Sequence, residues 1–334
     1  MELNNRTPFV PFQFEAIDKQ MNLFGVVVLR GTFTITNGHS LELAREQETL
    51  QISDAYFGKP GESSLRFAES LAPYKPKTDL LIEATAHSPS GLPEERWVAG
   101  VRAGDLSRHF QITGRRCWRK RRGHMVLDDI DPTAAVDIRY EHAYGGRKGS
   151  AKEGYLFNPV GVGRMPTSGV EECLCPQLLP EDLDGPVFGS PIEVVGLGPI
   201  APMWQPRLAR SGTFDGAWQN NRAPYLPGDF SYEFYNAAAA GLTFPGFARG
   251  DETVELTNLS EGRQLTFALP NVQLITIIGF DDGRVIPGPV QLDTIHLQVE
   301  ERKAWLEWRG IFPTQIPVRA IEVRMSAPDS MIEG

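Results

Sequence analysis

The sequence predicts a mainly β protein, with antiparallel sheets in a sandwich-like arrangement, a loop-dominated middle and at most short helices. Segments near both ends of the chain are rich in β-branched and aromatic residues, or alternate polar and apolar residues with the period of a strand. The 33 glycines and 26 prolines of the 334-residue chain interrupt it every few residues, which favours short strands and loops over long helices. No apolar run of 18 residues occurs in the sequence, so no membrane-spanning helix is expected.

The first strands are expected in an N-terminal part, residues 1–144. Residues 23–36 have the composition of a strand, and the following Asn37-Gly38 dipeptide is typical of a hairpin turn. Residues 79–86 and 110–113 are predicted to form further strands, because each is rich in strand-forming residues and ends at Pro or Gly. The N-terminal part is therefore predicted to be rich in β-sheet.

The middle part, residues 145–250, is expected to connect the two β-rich parts. Repeated X-Pro and Gly-Pro dipeptides prevent any long element there. We therefore expect loops that lie over the sheets and are held by Trp and Tyr side chains. One short helix is predicted over residues 232–240, because four alanines precede the stop signal Gly241.

Strands return in a C-terminal part, residues 251–334. Residues 253–259 alternate polar and apolar side chains. Residues 294–299 and 304–308 flank a charged turn and predict a β-hairpin. No internal repeat separates the three parts, so we expect one unit that spans residues 1–334.

Composition restricts the classes of function. The 33 basic and 42 acidic side chains give a net charge of −9, which disfavours binding to nucleic acid or to an anionic membrane. Three cysteines do not suit a disulfide scaffold. The first residues lack the features of a signal peptide, so we expect a cytoplasmic protein with free thiols.

Motifs for common chemistry are absent from the sequence. It contains no nucleophile elbow, no phosphate-binding lysine loop and no zinc-hydrolase helix motif. Cys173 and Cys175 are separated by one residue, whereas structural zinc usually requires two to four between paired ligands. We expect no catalytic residue, cofactor or metal. The carboxylates of residues 128–131 are either a solvated turn or a calcium site. The basic run 115–122 is either a solvated hairpin end or a surface that binds an acidic protein.

Eleven short segments in a consistent order resemble the DUF2169 family, which is encoded beside spike-tip genes of type VI secretion systems. They are NRTPF (5–9), GTF (31–33), SSLR (63–66), LAPYKPKTD (71–79), GRRCW (114–118), YEHAYGG (140–146), NPVGVG (158–163), WQPR (204–207), GTFDGAW (212–218), LDT (292–294) and LEWRG (306–310). The resemblance spans nearly the whole chain and rests on the number and order of the segments.

The resemblance implies an adaptor or chaperone that binds a secreted effector protein and helps to load it onto the VgrG spike or its PAAR-like tip. It implies no catalytic residue. Since recognition surfaces usually lie in loops on a rigid scaffold, the glycines of residues 140–163 are expected to form exposed loops. The candidate partner-binding residues are Tyr140, Tyr144, Gly145, Gly146, Asn158, Pro159, Gly161, Gly163, Trp204, Arg207 and Trp218.

Two other functions remain open at the level of the sequence. One is a β-rich hydrolase of carbohydrate or cell wall that is delivered by the same secretion system. It would use Asp128, Asp131 or Asp215 as paired carboxylates, with Trp204 and Trp218 as platforms for a sugar. The other is a structural component of the spike tip that leaves the cell with it.

Overall fold

The computed structural model describes residues 2–147, 154–164 and 171–326. Strands account for 44% of these residues and helices for 5%, so the predicted mainly β class with only short helices is confirmed. In chain order the strands are β1 (Glu2–Asn5), β2 (Val10–Ile17), β3 (Leu23–Thr34), β4 (Glu42–Leu43), β5 (Ala55–Tyr56), β6 (Leu65–Phe67), β7 (Asp79–Glu83), β8 (Thr85–His87), β9 (Arg96–Ala103), β10 (Leu106–Thr113), β11 (Cys117–Arg121), β12 (His124–Leu127), β13 (Ala135–Asp137), β14 (Tyr144–Gly145), β15 (Val162–Gly163), β16 (Glu172–Leu174), β17 (Leu178–Pro180), β18 (Thr253–Thr257), β19 (Gln264–Ala268), β20 (Leu274–Phe280), β21 (Val285–Gln298), β22 (Lys303–Pro313) and β23 (Val318–Met325).

A nine-stranded, nearly closed barrel-like sheet dominates the fold. Its strands follow the order β1-β23-β20-β21-β22-β3-β2, with β4 on β3 and β7 on β21. Most pairs are antiparallel, but β1 runs parallel to β23 and β7 runs parallel to β21. Strand β21 changes register with β22 between Leu292 and Thr294, and this bulge turns the buried side chain of Asp293 toward β22.

A second, five-stranded antiparallel sheet has the order β17-β10-β9-β18-β19. One continuous apolar core includes residues of both sheets, among them Leu29 of β3, Val101 of β9 and Leu256 of β18. The opposite face of β3 is also covered, because Val26 and Val28 pack with Leu50 of the loop that follows β4. Strand β3 is therefore buried on both faces.

Strands from the two ends of the chain share both sheets. The N-terminal strand β3 pairs with the C-terminal β22 along 11 residues, and β9 pairs with β18. The three parts that the sequence suggests are therefore regions of the chain whose strands interleave. In the described residues of the middle part, β14 to β17 are strands of two or three residues, and long loops accompany them, as predicted.

The helix predicted over residues 232–240 is wrong beyond its first turn. Only Tyr232–Tyr235 are helical, as a 3-10 helix, and the alanines after it are not. The N–H of Ala237 donates to Oδ2 of Asp79 (2.8 Å), and its carbonyl accepts from the N–H of Ile200 (2.7 Å). These tertiary hydrogen bonds use the groups that a helix needs, so they override the helix propensity of alanine.

The remaining helices are also short. They are the 3-10 helices Tyr140–His142 and Leu208–Arg210 and the α-helix α1 (Gly216–Asn221). None of these three helices is predicted from the sequence. Among the described residues, no helix has the length and apolar character needed to cross a membrane.

Candidate functional site

The candidate residues between 140 and 163 are mostly buried. Asn158 is fully buried, and its Nδ2 donates to the carbonyl groups of Tyr140 (2.7 Å) and Tyr144 (3.1 Å). Tyr140 and Tyr144 are 3% and 6% exposed. Pro159 and Gly163 are half-buried. The Asn158 side chain thus ties together two backbone stretches that are 14 to 18 residues apart.

The expectation that the glycines form exposed loops is wrong for Gly145 and Gly146, which are buried. Gly146 has a φ of +85°, and a Cβ atom there would lie 2.2 Å from the carbonyl oxygen of Gly161. A Cβ atom on Gly145 would lie 2.1 Å from the carbonyl oxygen of Asn158. These glycines therefore permit the close approach of two backbone segments.

Tyr140 connects this segment to the candidate Trp204. The two rings meet edge to face, with their centroids 5.4 Å apart. The Tyr140 hydroxyl donates to the carbonyl of Gly198 (3.0 Å), and burial raises the pKa of that hydroxyl. Trp204 is 5% exposed, which leaves no ring face for a sugar. In this position both aromatic residues act as anchors for the loops.

Arg207 lines a cavity together with several other charged side chains. Its side chain is buried, with Nε donating to the carbonyl of Phe234 (2.8 Å) and Nη1 to that of Ile200 (2.6 Å). Burial lowers the pKa of the Arg207 guanidinium, against the opposing effect of nearby carboxylates. The cavity has a volume of about 350 Å³, and we call it the Arg207 cavity.

Buried ion pairs form one side of the Arg207 cavity. Arg30 and Glu307 face each other from the paired strands β3 and β22, with Nη2 and Oε1 2.5 Å apart. Ser70 donates to the same Oε1 (2.7 Å), and the Arg30 guanidinium lies 4.2 Å from the ring centre of Trp305. Burial alone would raise the pKa of Glu307, but Arg30, Ser70 and Arg309 hold it below its usual value.

Two more ion pairs continue this wall. Arg309 Nε lies 2.6 Å from Asp293 at the bulge of β21. Lys75 Nζ lies 2.6 Å from Asp79 and donates to the Thr294 hydroxyl (2.8 Å). All four charged side chains are at most 6% exposed. Removal of one member of a pair would leave the charge of the other member buried and unpaired, so each charged side chain depends on its partner.

Two side chains that line the Arg207 cavity also contain unpartnered polar atoms. His296 and Trp305 line it, and His296 Nε2 and Trp305 Nε1 have no hydrogen-bond partner among the described residues. Burial, reinforced by Arg30, lowers the pKa of His296 to about 3, so its imidazole is neutral at physiological pH. At the mouth, Asp54 and Glu69 are closer to solvent. Partial burial and the charge of Asp54 raise the pKa of Glu69.

Sequence reasoning missed this site apart from Arg207, because the charged residues are spread from position 30 to position 309. One signal was available. The segments 71–79, 204–207, 292–294 and 306–310, which carry the family resemblance, each supply a charged residue to the cavity or to the ion pairs behind it. Their convergence at one place was not apparent from the sequence.

Trp218 lies in an exposed aromatic segment, residues 214–225, which includes α1. Asp215 caps the helix, since its Oδ1 accepts from the N–H of Trp218 (2.8 Å). The rings of Phe214 and Trp218 meet edge to face at 4.8 Å, and Trp218 Nε1 donates to the carbonyl of Tyr225 (2.9 Å). Phe214 and Tyr225 are 56% and 39% exposed.

The aromatic segment is tied to the body of the protein. Arg222 donates to the carbonyls of Leu226 (3.0 Å) and Lys19 (2.5 Å), the latter in the turn between β2 and β3. The Asp229 carboxylate accepts from the N–H (3.0 Å) and hydroxyl (2.7 Å) of Thr213, and these bonds hold its pKa below the usual value. The exposed rings are thus held on a fixed frame.

The basic run 115–122 forms the hairpin of β11 and β12. Arg119 and Arg121 lie 2.6 and 2.8 Å from the two oxygens of Asp128, and Lys120 lies 3.1 Å from Glu171. Asp128 is thus an ion-pair acceptor on this hairpin. Whether the basic run also binds an acidic protein stays a prediction.

The thiols of Cys117, Cys173 and Cys175 are free, and burial raises the pKa of each, that of Cys175 to about 12. Across residues 2–147, 154–164 and 171–326, no group of three or more His, Cys, Asp or Glu side chains is placed to hold a metal ion.

A family model described as an uncharacterized protein conserved in bacteria (DUF2169) matches residues 21–309. No curated protein and no solved structure matches the chain.

Proposed function

We propose that this chain, which belongs to the DUF2169 family, is an adaptor or chaperone. In this proposal it binds an effector of a bacterial type VI secretion system in the cytoplasm and helps to load it onto the VgrG spike or its PAAR-like tip. The family membership supports the resemblance from which the role was inferred. The proposal includes no catalytic step and no cofactor.

The exposed aromatic segment is the observation that carries the proposal. Aromatic side chains on a rigid loop are typical anchors of protein interfaces, because they bury much apolar area at a low cost in side-chain entropy. Phe214 is 56% exposed, although hydrogen bonds that involve Asp215, Trp218 and Arg222 hold the segment to which it belongs. A folded surface that keeps large rings in water suits a partner that covers them.

The hydrolase alternative receives less support from the geometry. Asp215 is engaged as the cap of α1, and Asp128 is engaged by two arginines. Trp204 is buried, so it cannot stack against a sugar. Two of the three carboxylates and one of the two rings that a hydrolase would need are thus used within the fold.

Co-purification tests the proposal. The tagged chain would be isolated from the cytoplasm and from the culture medium of secreting cells, beside the double variant Phe214→Ser/Trp218→Ala. We expect the wild type to recover an effector and a spike protein from the cytoplasm, and the double variant to bind at least about 30-fold more weakly, as loss of an interface anchor does.

Leu92→Ala is the matched control, since Leu92 is 68% exposed and lies in a loop between β8 and β9. It should bind like the wild type. Equal binding by the double variant would remove the aromatic segment from the interface. Recovery of the chain mainly from the medium with the spike would favour the fired tip component over the adaptor.

A further inference from the structure

The Arg207 cavity contains a buried cation that forms no direct ion pair, and the carboxylates of Asp54, Asp79 and Glu69 act on it only from a longer distance. Three of the four cations that line it are paired, Arg30 with Glu307, Lys75 with Asp79 and Arg309 with Asp293. For Arg207, which is 6% exposed, no carboxylate oxygen of the described residues lies within 4.0 Å. A buried charge that is not paired is costly.

Further hydrogen-bond donors of the same cavity have no acceptor. Arg207 and Arg309 each use Nε and Nη1 in hydrogen bonds, while their Nη2 atoms have none among the described residues. Trp305 Nε1 and His296 Nε2, of two further lining side chains, also have no hydrogen-bond partner among the described residues. Two nearly buried guanidinium groups thus each present a charged N–H donor to the cavity without a protein acceptor, and donors of this kind favour an anionic acceptor.

The mouth of the cavity has the opposite character. Asp54 and Glu69 line it, and neither forms an ion pair within 4.0 Å among the described residues. Two neighbouring carboxylates repel a second anion and attract a cation. A phosphate carrying two negative charges is therefore disfavoured. A ligand with one carboxylate and one positive group suits both the arginines inside the cavity and the carboxylates at its mouth.

We infer that the Arg207 cavity binds a small zwitterion of the α-amino acid type. Its carboxylate lies against the Nη2 atoms of Arg207 and Arg309, and its ammonium group faces Glu69 and Asp54. The volume of about 350 Å³ is at the lower end of the range of small-molecule sites, which suits a free amino acid. This inference is independent of the adaptor role.

Calorimetric titration of the purified full chain tests the inference. Each of the common amino acids would be added at up to about 10 mM, a concentration that detects millimolar affinity. The best ligand would then be compared with its carboxamide, which lacks the carboxylate charge, and with its N-acetyl derivative, which lacks the ammonium charge. We expect each derivative to bind at least about tenfold more weakly than the amino acid.

Glu69→Gln identifies the end of the ligand that faces the mouth. This side chain is exposed, so the variant should fold, and it should weaken binding of the amino acid about tenfold while leaving the N-acetyl derivative unchanged. Glu62→Gln is the control, because the Glu62 side chain is 71% exposed and lies outside the cavity.

Three results would overturn the inference. They are the absence of binding for every amino acid, which would assign the unpartnered donors to water alone; equal binding of the N-acetyl derivative, which would leave a simple carboxylate site; and equal effects of Glu69→Gln and Glu62→Gln.

Discussion

Replacement of Gly146 by Ala should destabilise the fold far more than a change in backbone preference alone. A residue with a side chain at positive φ costs about 1 kcal/mol. At Gly146 the new Cβ atom would also lie 2.2 Å from the carbonyl oxygen of Gly161, so backbone must move. Movement threatens the hydrogen bonds from Gly146 N to Asn158 O (2.8 Å) and from Tyr155 N to Gly146 O (2.9 Å). With about 1–3 kcal/mol for each buried group left unpaired, we expect a total loss of about 3–7 kcal/mol in the free energy of unfolding.

Gly123→Ala is a matched control for this prediction. Gly123 has the same φ of +85°, in the turn between β11 and β12, but no atom lies within 4 Å of the position of its Cβ. This variant should therefore lose only about 1 kcal/mol.

Urea unfolding followed by tryptophan fluorescence would give both values from the midpoint and the slope of the transition. Similar losses for the two variants would refute the argument from close packing. If the loss at Gly146 were near 1 kcal/mol, the variant would stay folded and could be used to test whether Gly146 contributes to partner binding.

Three further predictions concern buried titratable groups. His296 has a pKa of about 3 in the folded protein against an ordinary value of 6.5, so the unfolded chain binds the extra proton, and stability should be complete above pH 6.5 and fall as the pH drops toward 3. The loss in the free energy of unfolding should reach about 2–3 kcal/mol by pH 4.5. Denaturant titrations should show that this loss is smaller in His296→Gln than in the wild type, whereas the exposed His39→Gln should lose as much as the wild type. Asp293→Ala should cost about 3–5 kcal/mol because it strands the Arg309 charge, while the double variant with Arg309→Met should recover part of this loss in the same assay. Cys175 is 4% exposed with its pKa raised to about 12, so mass spectrometry should find it unmodified by iodoacetamide until the protein unfolds; rapid native labelling would contradict this.

The strands and their local hairpins could be predicted because their signals are short in range. Residues 294–299 and 304–308 are rich in strand-forming residues and flank a charged turn. Strands β21 and β22 pair there as expected. The segment 23–36 likewise contains β3. The density of Gly and Pro between residues 145 and 250 gave the loop-rich middle part by the same kind of local argument.

The helix over residues 232–240 could not be judged locally. Its alanines favour a helix, but the Asp79 carboxylate, more than 150 residues earlier in the chain, binds the amide groups of Asn236 and Ala237. The prediction that Gly145 and Gly146 are exposed failed for a related reason. Glycine permits both an open turn and a close backbone approach, and the sequence does not distinguish them.

The sequence by itself determined the mainly β class, the principal strands and the family of the chain, since these depend on periodicity, turn residues and ordered motifs. Only the tertiary structure decided which side chains meet. Burial turned most of the candidate partner-binding residues into anchors of the loops, while Arg207 came to lie in a cavity with ion pairs supplied by β3, β7, β21 and β22. That convergence follows from strand pairing, which brings Arg30 and Glu307 together although they are 277 residues apart, because a folded sheet places side chains by register and not by distance along the chain.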